Sequence, residues 1–433
     1  GQPDMTDQVL RGRVLTFFDH PTSLADTDSF GYWEDGAIAV LGGKIDWRGH
    51  FSELPERYNA LPVTDHRPRL ILPGLIDTHA HFAQMGVIGS YGAQLLDWLE
   101  QYTFVQETRF DCDDHSGLIA SSYFDELILN GVTTSVVYGT SHKNSMDAFF
   151  AEADQRQLCM IAGKTLMDRN APDDLRDTAQ SGYDDSKALI ERWHGKGRLK
   201  YAVTPRFAIS CSEAQLELAG TLLKETPDAY LQTHLSENQI EIETTAALFP
   251  AARDYLDVYE HYGFLGEKSL FGHCIHLTER ERAAMKDSRS VAVFCPTSNL
   301  FLGSGLFDYA GMSDEGIRIS LASDVGAGTS YSMLTTASEA YKVCQLNHYG
   351  LNPLESFYLM TLGNARALSL DHDIGTIEAG TSADLIVLNS IATSAMNIRM
   401  EAADSLTDEL FILQTLGDDR AISATYVAGN RFK

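Results

Sequence analysis

The segment LPGLIDTHAHFAQMG places His79 and His81 one residue apart, behind an apolar run broken only by Asp77 and Thr78. Side chains alternate faces along a strand, so residues two apart point the same way. Two imidazoles on one face of a strand end therefore aim at one point, and imidazole is a ligand for zinc and iron. Two hydrogen-bonded histidines at a turn would give the same spacing. Other apolar runs also close on polar side chains: KYAVTP on Arg206, LQTHLSE on His234 and Glu237, SLFGH on His273, and ISLASD on Asp324. Each has an ordinary role when taken singly. Asp324, ahead of VGAGTS, can cap a turn, and a carboxylate at Glu237 suits a helix N-terminus. Arg206 can pair with a carboxylate at a rim, or offer its planar fork to a carbonyl.

The elements that would bring these residues together are legible as eight apolar runs: LPGLIDTHAH, GVTTSVVYGT, RQLCMIAGK, GRLKYAVTPRF, AYLQTHLSE, KSLFGHCIHL, RSVAVFCPTSN and GIRISLASD. Helical patterns separate several of them. Ser212 with Gln215 and Thr278 with Glu281 have the spacing of capping boxes. Eight βα units predict an α/β fold, a (β/α)8 TIM-like barrel. In such a barrel the C-terminal strand ends share one mouth, where catalytic residues gather. His79 and His81 then read as half of a metal site completed from distant strands. The β-rich segments GRVLTFF and GAIAVLGGKIDWRG near the start, and ADLIVLN and ATYVAGNRF near the end, predict a small β-sandwich domain built from both chain ends. The expected division is residues 1–70 and 376–433 for the small domain and 71–375 for the barrel.

Composition narrows the partners. The 433 residues are 44% hydrophobic and 21% charged, enough for a large core, and the net charge of −27 argues against nucleic-acid phosphate or an anionic membrane surface. The six cysteines form no C-x-x-C pair, which argues against a cysteine zinc site, gives no disulfide framework and fits reduced thiols in the cytoplasm. The P-C-x-x-C segment of helix-based cytidine-type deaminases is also missing. No apolar run approaches the ~18 residues of a membrane span, and no signal-peptide pattern is legible. The opening GQPDM, ahead of Met5, is set apart from the fold reading.

With these motifs in place the chain resembles the amidohydrolase superfamily, whose pattern is His-x-His on the first strand, His on the fifth and sixth, and Asp on the eighth. Within it the chain is similar to the guanine deaminase family. The stretches PGLIDTHAHFAQ, YGAQLLDWLEQYTF, AGKTLMDRNAPDDL, TPRFAIS, THLSEN, FGHCIHL, FCPTSNLFLGSGLF, SDVGAGTSYSML and TLGDDRAISATYV carry the resemblance, LLDWLEQYTF and MDRNAPD most specifically. It implies hydrolytic deamination of guanine to xanthine and ammonia by a cytoplasmic homodimer with one zinc per subunit, iron being a possible substitute. It implies that His79, His81, His234 and Asp324 hold the metal, and that His273 and Asp324 orient a water and take its proton. Glu237 shuttles protons, and Gln84, Arg206, Phe207, His234 and Glu237 contact the purine. A metal lowers the pKa of its water from ~15.7 to ~7; a carboxyl beside it can protonate a ring nitrogen and then the leaving amine. Gln84 offers a donor and an acceptor to a purine edge, while Phe207 suits stacking or an ordinary core position. Two alternatives remain at this level. One is an aminohydrolase for another purine or a pterin amine, or a cyclic amidohydrolase, on the same barrel. The other is a non-catalytic scaffold, although no ligand position is lost. Binuclear relatives use a carboxylated Lys near strand four; here Lys164 falls on strand three, which favours one metal. His142 and His276 are expected to be structural.

Overall fold

The eight apolar runs form eight consecutive parallel barrel strands, β1 to β8: Leu75–His81, Val132–Tyr138, Cys159–Gly163, Leu199–Pro205, Tyr230–Leu235, Ser269–His273, Val291–Phe294 and Arg318–Leu321. The structure is a computed structural model that describes residues 7–92 and 94–433. The opening GQPDM and Ala93, within YGAQLLDWLEQYTF, lie outside the described residues. All seven residues of β1 and of β2 are buried, as expected of strands covered on both faces. Each strand pairs in parallel with the next, from β1 to β8. The ring closes through the chain just past β8: Asp324 N donates to His79 O at 2.8 Å and His81 N donates to Val325 O at 2.7 Å. Closure therefore sets Asp324 directly against His79 and His81.

The small β domain made from both chain ends is present, and its seven strands form one hydrogen-bonded sheet where the sequence reading expected a two-layer sandwich. The central strand, Val63–Pro73, lies between Gln8–Phe17 on one side and Leu385–Leu388 on the other. It runs through Gly74 straight into β1, and a Cβ at Gly74 would sit 2.0 Å from the Thr133 hydroxyl. Only a glycine lets the chain pass there. Helix Leu406–Leu416 packs on Met333–Leu346 and Pro353–Tyr358, and Glu409 on it accepts from Nη1 and Nη2 of Arg13 at 2.6 Å. Among the described residues no helix is long and apolar enough to cross a membrane.

The two capping expectations part ways. Thr278 and Glu281 form a full box: Glu281 N donates to Thr278 Oγ1, and Thr278 N to Glu281 Oε1. Ser212 accepts from Gln215 N, but the Gln215 amide instead reaches Asp177 at 2.7 Å, so this is half a box.

Candidate metal centre and active site

Five side chains converge at the C-terminal mouth. His79 and His81 end β1, His234 lies on β5, His273 ends β6, and Asp324 follows β8. Donor atoms of His79, His81 and His234, and likewise of His79, His273 and Asp324, lie within 4.8 Å of one another. Asp324 Oδ1 is 3.2 Å from His79 Nε2 and 3.3 Å from His81 Nε2, while Oδ2 is 3.6 Å from His273 Nε2. All five residues are buried. The strand ends are bent to achieve this: Ser236, His273, Cys274 and Asp324 have positive φ, a left-handed conformation that costs on the order of 1–3 kcal/mol each in non-glycine residues. Gly272 makes room as well, since a Cβ there would meet His79 Cε1 at 2.5 Å.

The chemistry of this donor set fits a divalent cation. His79 Nε2, His81 Nδ1 and His273 Nε2 are buried with no hydrogen-bond partner, a cost the fold does not carry without reason. Burial pushes His81 down to about 4 and His273 to about 3, so both imidazoles are neutral. Burial also opposes ionisation of Asp324, but His79, His81 and His273 around it hold its carboxyl well below the usual range. His234 Nδ1 donates to the Arg206 carbonyl at 2.6 Å, which leaves its Nε2 lone pair for a metal. Tyr138 on β2 backs the cluster, its ring 4.6 Å from those of His79 and His81 and 4.7 Å from that of His234.

Beside the cluster opens a pocket whose wall includes Gln84, Trp98, Arg206, Phe207 and Glu237. Glu237 Oε2 is 3.3 Å from His273 Nε2. Burial, with Asp324 and Glu241 nearby, raises the Glu237 carboxyl well above its ordinary range. Its loop is fixed by Glu241, which accepts from Glu237 N at 2.9 Å and Asn238 N at 3.1 Å, and from the Tyr255 hydroxyl at 2.7 Å. Arg206 gives Nη1 to both oxygens of Glu107, at 3.1 and 2.8 Å. Its Nη2 is buried and unpartnered. Gln84 Oε1 already accepts from Gly326 N at 3.0 Å, so the amide enters the wall with its NH2 as the group left to offer.

A sequence model of the Amidohydrolase family matches residues 70–432. The chain belongs to the amidohydrolase family. Guanine deaminase of Escherichia coli (strain K12) is 44% identical over 420 residues, covering 96% of this chain and 94% of the relative. The solved structure of E. coli guanine deaminase superposes with a TM-score of 0.95 at 42% identity, covering 98% of this chain and 99% of that one. A guanine deaminase from C. acetobutylicum, with guanine bound in its active site, superposes with a TM-score of 0.88 at 31% identity over 98% of this chain and 99% of that one.

In this amidohydrolase the residues singled out from the sequence lie together. His81, Gln84, Arg206, Phe207, His234, Glu237, His273 and Asp324 line the pocket, and His79 joins the His/Asp cluster without lining it. Of the two readings of Arg206, the structure shows the carboxylate pair, made by Nη1 with Glu107 in the interior rather than at the rim, while Nη2 has no partner. Lys164 is away from the cluster: its buried ammonium pairs with Asp177 at 2.5 Å. His142 bonds Thr140 and the Asp174 carbonyl, and His276 the Ser304 carbonyl, as structural residues do. Glu107, Trp98, Tyr138 and Asn299 were not foreseen. The Asn299 side-chain amide lies 2.9 Å from His273 Nδ1 and orients that ring. The LLDWLEQYTF segment held the only signal for Trp98, and it gave no role.

Proposed function

We infer that this protein is a guanine deaminase, a hydrolase that converts guanine and water to xanthine and ammonia. What carries the reading is the unpartnered Arg206 Nη2 facing a pocket beside a buried His/Asp cluster, in a chain 44% identical to the E. coli enzyme. His79, His81, His234 and Asp324 would hold one metal ion, taken here as zinc. When bound, such an ion activates water at neutral pH. Arg206 Nη2 binds the carbonyl of the base, the Gln84 amide adds a second donor, and Phe207 with Trp98 packs on the ring. His273 and Asp324 face the water and take a proton from it. Glu237 moves protons at the reacting carbon: one ends on the ring nitrogen beside C2, and the second leaves on ammonia. The water oxygen becomes the new carbonyl, so atoms and charge balance.

The test is ammonia release across guanine, 8-oxoguanine, adenine, cytosine and pterins. Guanine should be turned over fastest; preferred release from a pterin or adenine would overturn the assignment. Arg206→Lys should lose on the order of 1–3 kcal/mol of transition-state stabilisation toward guanine, because the charge stays while the fork is lost. Unchanged kcat/KM in that variant would move carbonyl recognition elsewhere. The division at residues 70 and 375, a homodimer and a cytoplasmic setting complete the reading. Family resemblance supports the dimer, and six unbridged cysteines fit a reducing compartment. A monomer by light scattering at micromolar concentration would refute the dimer.

A further inference from the structure

Arg206 is an odd choice for a pocket that takes a neutral base. A free guanidinium is the group proteins use for carboxylate and phosphate, and a pocket holding one should prefer anions. The wall of this pocket answers that difficulty. Glu107, on the short helix Phe104–Glu107, is 1% exposed and sets both carboxylate oxygens on Nη1 of Arg206, which is 2% exposed. Met167 Sδ lies 3.6 Å from the same nitrogen, and the Phe104 ring stacks against the guanidinium at 5.1 Å. Nη1 is thus fully engaged, the charge is cancelled at contact distance, and Nη2 is left buried with no partner. No other carboxylate is paired with this guanidinium among the described residues.

We propose that Glu107 is a specificity-determining positioning residue: by pinning Nη1 and neutralising Arg206, it makes Nη2 a donor for an uncharged ring carbonyl and turns anionic ligands away. The inference rests on the reading of Arg206 as the carbonyl-binding residue. The energetic logic is that of a buried ion pair. Such a pair adds little to stability compared with apolar packing, yet removing one partner strands a buried charge. A pair retained at such a site works as a dipole of fixed direction, strong enough to hold a carbonyl and without net charge to hold an anion. Glu107 touches no reacting atom, so its effect reaches substrate only through Arg206.

The test uses the metal-loaded enzyme and two competitive inhibitors of one ring size, hypoxanthine and purine-6-carboxylate. The readout is the ratio of their inhibition constants, in which steric differences between the ligands cancel across variants. Wild type should favour hypoxanthine. In Glu107→Gln the ratio should shift at least tenfold toward the carboxylate, with KM for guanine raised more than kcat is lowered. In Glu107→Asp, which keeps the charge on a shorter arm, KM should rise while the ratio stays at the wild-type value. A ratio unchanged in Glu107→Gln overturns the proposal, because a merely structural role would not be charge-selective. If Glu107→Gln does not fold, the double variant Glu107→Gln/Arg206→Met decides: recovery of a folded protein supports a stranded charge, and failure to fold assigns Glu107 to packing. Wild type that releases no ammonia from guanine would instead refute the functional reading beneath.

Discussion

Replacing Glu237 with glutamine is expected to lower kcat on guanine by about 10²–10⁴-fold, the usual worth of a positioned general acid–base group, while metal content and guanine binding persist. Attack on an aromatic C2 loads negative charge onto the ring unless the neighbouring nitrogen takes a proton. The group that gives it must carry a proton in the resting site and recover it for ammonia. Glu237 meets the first condition because burial disfavours its charged form, with the Asp324 and Glu241 carboxylates adding to the effect. It meets the second by lying 3.3 Å from His273 Nε2, the side chain proposed to take a proton from the water. Glutamine keeps the size and the hydrogen bonding but cannot exchange the proton. The loop should hold its shape, since Glu241 binds the backbone N–H groups of residues 237 and 238 rather than the Glu237 side chain. Single-turnover kinetics with metal analysis on the same sample read the outcome. Retained kcat with lost metal would make Glu237 part of the metal shell and send the search for the shuttle elsewhere.

The strands that build this site were legible because both their faces are covered. A strand such as VTTSVVY, buried at every residue, must be an uninterrupted apolar run, and the first polar group after it marks the barrel mouth. The candidate metal ligands are legible for the same reason: each is a polar residue where burial would otherwise exclude one. The strand Val63–Pro73 escaped because its first half, VTDHRPR, has one buried residue, His66, among charges and a proline, a pattern that reads as loop. Partners joined only by the fold left no local trace. Glu107 is 99 residues from Arg206, and Asn299 is 26 from His273; no periodicity links such pairs. Gln215 shows the converse error, a correct local spacing whose side chain is claimed by a distant carboxylate, Asp177.

The second large effect is expected at Asp324. Asp324→Asn should drop metal from about one equivalent per chain to near none under dialysis, and ammonia release should fall with it. Neutral imidazoles bring lone pairs but no charge, so Asp324 supplies the negative charge among the four proposed ligand residues. A unit charge pair at 4 Å with an effective dielectric near 20 is worth roughly 4 kcal/mol, and the ion carries two charges. At about 1.4 kcal/mol per tenfold, the loss in metal affinity should be at least about 100-fold, beyond the ~10–100-fold typical of residues that merely orient ligands. The fold should survive the change. Closure of the barrel uses the backbone of Asp324, whose N–H donates to His79 O and whose carbonyl accepts from Gly328 N at 2.6 Å, and asparagine keeps both bonds. Circular dichroism should therefore match wild type while metal analysis does not. Full metal occupancy in Asp324→Asn would remove Asp324 from the ligand set. Two equivalents in wild type, with Lys164 modified and bridging, would overturn the single-metal reading; the 2.5 Å pairing of Lys164 with Asp177 argues against that, because the amine that would have to be carboxylated is already held as a buried ammonium.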